Sequence, residues 1–239
     1  MSSQKHFWIY GRHSVENAVK NRNNKITKII INNSKKKFEW FKDLKVIIDP
    51  DFLKKNFKNL THQGIAAEII KPKDLKINLN ELNKKKNILV LDGINDIRNI
   101  GSIFRSAFAF NFKDIIINKK DYNHFDPNLY KTASGSIENL NVYNVTNVKY
   151  EINELKKRNF QIFGFDSNNG ESIIHIIKKI KNENLKFVFV FGSEQKGIRP
   201  IVKKYCDQTV KINMSSKANS LNVSNAASIA MAIYYNSNF

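Results

Sequence analysis

The stretch FVFVFGSEQKGIRP, Phe187–Pro200, reads as a buried strand that empties into a glycine loop and then a helix. Backbone N–H groups in such loops point at anions, so a phosphate is the first ligand to consider. Two features argue against it. A phosphate loop of the Walker type needs a Lys-Ser/Thr pair after its last glycine, and none follows Gly197. Glu194 in the middle of the loop would also repel a triphosphate. A neutral or cationic ligand suits the loop better, with backbone groups reading an adenine edge and Glu194 standing near positive charge. A plain turn, with Gly192 and Gly197 supplying steep backbone angles, is the alternative.

Outward from this loop, apolar runs alternate with helical patterns. ILVLDG, DIIIN, NVYNV, FQIFGFD, FVFVFG and QTVKINM read as strands. IGSIFRSAFAF, DPNLYKTASG, YEINELKKRN, IRPIVKKYC and LNVSNAASIAMAIYY read as helices. That alternation predicts an α/β domain with a mainly parallel sheet covered on both faces. Ligands bind such sheets beyond the carboxyl ends of the strands, where the Gly192–Gly197 loop lies. The first third predicts a small α/β unit. IYGRHSVENAV gives a strand and a helix with Val15, Ala18 and Val19 on one face, and ITKIIIN, LKVIID and GIAAEII give further strands. KKKFEWFKDL reads as a helix with Phe38, Trp40 and Phe41 near one side. Asp49 is the expected N-cap of another helix, with Pro50 in its first turn. KPKDLKINLNELNKKKN is polar and basic and reads as a linker. The expected division is residues 1–71, a linker at 72–87, and 88–239.

Hydrophobic residues make up 41% of the 239, enough for a packed core. No apolar run reaches membrane-spanning length, and MSSQKHFWIYGRH carries no apolar signal segment. Cys206 stands alone, which excludes an internal disulfide and fits a reducing, cytoplasmic compartment; its plain reading is a small buried hydrophobe. No Cys/His cluster has metal-ligand spacing, and His62 and His124 read as structural or surface residues. Lys and Arg number 40 against 21 Asp and Glu, a net charge of +19 that favours a polyanionic partner, above all nucleic acid. Lysine could serve most surface roles, so each of the six arginines (Arg12, Arg22, Arg98, Arg105, Arg158, Arg199) raises the question of what its planar head group does.

Three segments could carry chemistry. In LDGINDIRNIGSIFRSA, Asn99 is the expected N-cap of a helix. Arg98 and Arg105 share one side of that helix with Ser102 between them, suiting a ribose-phosphate or simply a solvated face. GSEQKG is the loop already described. In INMSSKANSLNVSNAASIAMA, Ser220 and Asn222 open a helix whose Ala226, Ala227, Ser228 and Ala230 permit very close approach by another helix or chain. At the front, Tyr10, Arg12 and His13 offer the charge and stacking used on unpaired bases, although each also has a bland role as core, surface or helix-end residue.

Taken in order, N-x-G-x-x-x-R (Asn99, Gly101, Arg105), G-x-E-x-x-G (Gly192, Glu194, Gly197) and S-L-N-V-S (Ser220–Ser224) resemble the three motifs of the SpoU-type 2′-O-ribose RNA methyltransferases of the SPOUT superfamily. IYGRHSVENAV, THQGIAAEI and KTASGSIENL resemble the subgroup that methylates a guanosine of bacterial 23S rRNA, so nearly the whole chain is covered. The resemblance implies a parallel sheet with a deep trefoil knot, which base rates argue against, and a small L30e-like RNA-binding domain in front. It implies S-adenosylmethionine as cofactor, a homodimer, large-subunit rRNA as partner and no metal. It makes Arg105 the central catalytic residue, with Asn99, Glu194, Ser220 and Asn222 around it. Gly192, Glu194, Gly197, Ile212, Met214 and Leu221 would contact the cofactor, and Tyr10, Arg12, His13 and Arg98 the RNA. Three positions depart from the family pattern: Ile97-Arg98 in place of Pro-His or Pro-Gln, Asn213 in place of proline, and Ser216 in place of glycine.

Overall fold

The computed structural model describes residues 6–21, 24–34, 40, 44–70, 75–121, 123 and 126–237. The sequence-predicted helix at 35–44 lies largely outside them, as do Arg22 and His124. The chain forms two compact units, 1–73 with 124–139, and 74–123 with 140–239.

The first unit is built on a four-stranded sheet in the order β1-β4-β2-β3, from β1 (His6–Tyr10), β2 (Lys25–Ile31), β3 (Val46–Ile48) and β4 (Ile65–Ile70). β4 runs antiparallel to both neighbours, and β2 and β3 are parallel. Helix α1 (Arg12–Lys20) buries Val15 and Ala18. Helix α2 (Pro50–Asn56) starts as its sequence dictates: Asp49 accepts a hydrogen bond from the Phe52 amide at 2.8 Å, and Pro50 occupies the first turn, where no N–H is needed.

The second unit carries the parallel sheet. Its strands are β5 (Asn87–Asp92), β6 (Asp114–Asn118), β7 (Asn141–Val145), β8 (Phe160–Phe165), β9 (Glu171–Ser172), β10 (Lys186–Gly192) and β11 (Gln208–Lys211). Their order is β7-β6-β5-β10-β8-β11-β9, and every pairing is parallel. Alternation within β10 explains how both faces are covered. Val188 and Val190 join Ile88, Val90, Ile152 and Leu155 in one cluster. Phe187 and Phe189 face the other way, where Phe112, Phe163 and Tyr234 pack edge-on, tilted or stacked at 4.7–6.5 Å between ring centroids.

Helices α3 (Leu79–Leu82), α4 (Ile97–Ala109), α6 (Val148–Lys156), α7 (Ile173–Asn182), α8 (Pro200–Lys203) and α9 (Val223–Asn236) belong to this unit. Between β6 and β7, α5 (Pro127–Ala133) belongs to the first unit, where the Ser14 hydroxyl donates to the Tyr130 carbonyl at 2.9 Å. The segment expected as a linker carries α3, whose Leu82 is fully buried, and Leu75 bridges to Tyr143. Helix α7 and the short β9 were not read from the sequence, although Ile173, Ile176, Ile177 and Ile180 recur at helical spacing and are buried.

Candidate functional site

The ends of β5 and β10 lie side by side, with Asp92 paired to Gly192 in the sheet. Beyond Gly192 the chain makes a tight hairpin: the Ser193 amide donates to the Gly197 carbonyl at 3.1 Å and the Gly197 amide returns to Ser193 at 2.8 Å. The Lys196 amide donates to the Ser193 hydroxyl. Several amides that a phosphate loop would present are therefore engaged within the turn itself. A Cβ on Gly192 would stand 2.0 Å from the Gly197 carbonyl carbon, so only glycine fits there; Gly197 has φ of +63°. The plain turn reading thus accounts for both glycines, and the loop also walls a cavity.

That cavity has a volume of about 440 Å³. It is bounded by the hairpin, including Gly192, Glu194 and Gly197, and by the segment after β11 that carries Ile212 and Met214. Ser220, Leu221 and Asn222, which lead into α9, complete the wall. All eight of these sequence-predicted positions are therefore brought together. The sequence reading missed Phe165 and Phe191, whose rings stack at 4.2 Å and 16° on the same wall. Both are the last aromatic of a strand that ends at the cavity, the signal by which they could have been found. Asp166 also lines it. Burial alone would raise the pKa of its carboxyl, but hydrogen bonds from Lys203 and the Asn168 and Asn169 amides outweigh that and bring it down to about 2.

Asn99 does not cap α4. The cap is Asp96, whose carboxylate accepts from the Arg98 amide at 2.8 Å and leaves Asn99 inside the first turn. The cap shift frees the Asn99 carboxamide to act in tertiary structure. Its Nδ2 donates to the Glu194 carboxylate, and its Oδ1 accepts from Asn222 Nδ2 at 3.1 Å. Asn222 is itself the cap of α9, its Oδ1 accepting from the Ser224 amide at 2.8 Å and the Ser224 hydroxyl at 2.6 Å. One hydrogen-bonded chain thus links all three motifs. The small residues of α9 permit the approach of α4, where the Ser106 and Ser228 hydroxyls meet at 2.7 Å.

The arginines separate by what they hold. Arg199 donates through its amide and guanidinium to Asp92, which is fully buried, so the exit of the hairpin is fastened to the end of β5. Arg158 donates to the Glu154 carbonyl and carboxylate at the end of α6. Arg98, 81% exposed, is paired with Asp96 rather than presented alone. Arg105 is exposed on α4, and its guanidinium has no hydrogen-bond or ion-pair partner among the described residues. In the first unit, Arg12 and His13 are exposed at the start of α1. Tyr10 is a correction. Only 2% of it is accessible, its ring packs with Phe57, and its hydroxyl donates to Asn128 at 2.8 Å, so no face remains for a base to stack on. No group of three or more metal-ligating side chains occurs among the described residues, and no helix is long and apolar enough to cross a membrane.

Known proteins resemble this chain in sequence and in fold. Residues 86–232 match the SpoU rRNA Methylase family, and residues 8–75 match the family described as RNA 2′-O ribose methyltransferase substrate binding. A Staphylococcus aureus (strain COL) protein named for the TrmH family of tRNA/rRNA methyltransferases is 34% identical over 241 residues, covering 93% of each chain. The SpoU methyltransferase AviRb of Streptomyces viridochromogenes, solved in complex with the cofactor AdoMet, has the same fold at a TM-score of 0.79 and 20% identity, covering 98% of this chain and 90% of that one. An AdoMet-bound rRNA methyltransferase from Sinorhizobium meliloti does so at 0.80 and 17%, covering 98% and 88%. With three hydrogen-bonded motifs, two of which line one cavity, and nearly its full length matched, the chain belongs to the SpoU rRNA methylase family of RNA methyltransferases.

Proposed function

We propose that this protein transfers a methyl group from S-adenosylmethionine to the ribose 2′-OH of a guanosine in 23S rRNA. The observation that carries the reading is the hydrogen-bonded chain Asn222–Asn99–Glu194, whose two ends line the cavity, with Arg105, six residues along from Asn99 on the same helix, without a partner among the described residues. The cavity's chemistry fits the cofactor. Its size is that of a small-molecule site, Phe165 and Phe191 offer apolar wall, and Glu194 is a carboxylate suited to a sulfonium rather than to a phosphate. S-adenosylmethionine, when bound, supplies an electrophilic methyl group.

The chain's own residues position and polarise. Gly192, Gly197, Ile212, Met214 and Leu221 would hold the cofactor, and Asn99, Glu194, Ser220 and Asn222 would frame the acceptor ribose. A guanidinium stays protonated in proteins, so Arg105 is not read as the base. It would clamp a phosphate beside the target and stabilise charge developing on the 2′ oxygen as its proton passes to solvent water. Arg12, His13 and Arg98 would contact RNA; for Arg98 this requires exchange of its Asp96 partner. The deep trefoil knot, a homodimer and a cytoplasmic location belong to the same proposal.

The test is transfer of labelled methyl from S-adenosylmethionine to unmodified large-subunit rRNA, with the modified ribose mapped, for wild type and Arg105→Ala. Label at one guanosine, lost in the variant, is expected. Label on tRNA alone would replace the substrate. Absence of both cofactor binding and transfer would make the protein an RNA-binding assembly factor instead.

A further inference from the structure

The N-terminal unit holds a second charged feature. Lys131, on α5, is 68 residues from Gln63 in the chain, yet its ammonium lies 3.4 Å from Gln63 Oε1. The same Oε1 accepts from the Arg12 amide at 2.9 Å. The ammonium stands directly over Gly11, where an added Cβ would come within 2.9 Å of Nζ, and Gly11 itself has φ of +89°. Two unrelated segments, one after β1 and one between β6 and β7, therefore bring Lys131 to Gly11 and to the Gln63 that holds the Arg12 amide, at the point where the exposed Arg12 and His13 begin α1.

The acceptor is what makes this arrangement informative. Many well-placed cations of the molecule meet carboxylates, as Lys20 with Glu16, Lys156 with Asp207 and Lys203 with Asp166, while Lys86 and Lys186 meet the amide oxygens of Asn184 and Asn83 at 2.8 Å. Lys131 is placed by a neutral amide oxygen, and no carboxylate lies within ion-pair distance of it among the described residues. Its position is set while its charge is left intact. A fixed cation beside Arg12 and His13, on a chain of net charge +19, suits a single nucleic-acid phosphate.

We propose that Lys131, Arg12 and His13 form one phosphate-binding site that grips the RNA backbone on the N-terminal unit, with Gln63 as the residue that positions Lys131. The site rests on the reading of the protein as an RNA methyltransferase for its partner, but not for its geometry. Lys131 sets where the RNA is held and takes no part in the methyl transfer.

Binding of an unmodified large-subunit rRNA transcript is measured across a salt series for wild type, Lys131→Gln and Lys131→Arg. Methyl transfer is followed alongside. Loss of one phosphate contact reduces the slope of log affinity against log salt by about 0.7 for single-stranded RNA. Lys131→Gln is expected to show that loss, with RNA affinity down several-fold, a raised KM and an unchanged kcat; Lys131→Arg keeps the wild-type slope. Gln63→Glu provides a second variant that needs no truncation, since it neutralises Lys131 in place, and the same loss of slope is expected. Unchanged slopes in Lys131→Gln and Gln63→Glu would overturn the site while leaving the enzyme reading intact. If wild type neither binds S-adenosylmethionine nor methylates, yet Lys131→Gln still lowers the slope, the enzyme reading fails and the phosphate site stands.

Discussion

Two arginines of the catalytic unit show opposite uses of one side chain. Arg199 closes onto Asp92, a carboxylate with no exposure, and its charge is absorbed in fastening one strand end to the next loop. Arg105 sits on the exposed side of α4 with no partner among the described residues. The first arginine is satisfied within the fold; the second is left exposed. The contrast separates a residue spent on structure from one proposed to act on substrate, a distinction the two arginines do not show as sequence.

The comparison can be broken most directly at Arg105. Arg105→Ala should lower kcat by roughly 100- to 1000-fold, the cost of removing one charge-stabilising donor, while the unfolding free energy stays within about 0.5 kcal/mol of wild type. A comparable loss of stability would show that Arg105 is structural after all. Arg199→Ala should do the reverse, destabilising by roughly 2–3 kcal/mol. A fully buried pair would cost about 3–5 kcal/mol, and the 44% exposure of the Arg199 side chain reduces that. Urea unfolding of the whole chain measures it, and a stable variant would mean that water or the backbone amide satisfies Asp92.

Asn222 stands between the two cases, since it both caps α9 and holds Asn99. Asn222→Ala should cost about 1 kcal/mol for the cap. Asn222→Asp should restore most of the cap but not the hydrogen bond to Asn99, because an ionised carboxylate has no N–H to donate. Stability that recovers without activity would assign the Asn99 contact to function; joint recovery would assign it to folding. The remaining effect concerns Asp166 and shows only in acid. Its carboxyl is depressed from 3.8 to about 2, so its stabilising contribution is complete above the unfolded value and is lost as pH falls through about 2. Thermal melts from pH 5 downward should show Asp166→Asn lacking that component, and coincident pH profiles would show that Lys203 contributes nothing there.

Much of the fold was legible. DIIIN and NVYNV are strands over the residues read, because a parallel strand covered on both faces needs a continuous apolar run. Asp49 and Pro50 start α2 as expected, because a cap is chemistry within four residues. Where two polar residues compete for a cap the pattern gave the wrong one: Asp96 and Asn99 both qualify, and the structure uses Asp96. Tyr10 was read as a stacking ring because its alternation in β1 does not reveal that Phe57 covers it. Helix α7 was missed although its isoleucine spacing was visible, so that omission belongs to the reading and not to the physics.

By itself the sequence determined the family motifs, the parallel α/β architecture, the glycine loop and the basic surface, because each follows from composition or from spacing within one element. Tertiary structure alone decided which of these residues meet. Asn99 reaches Glu194 across 95 residues and Asn222 across 123, Arg199 reaches Asp92 across 107, and Lys131 reaches Gln63 across 68. Hydrogen bonds act over about 3 Å, so such pairings exist only once the whole sheet has set the ends of its strands side by side.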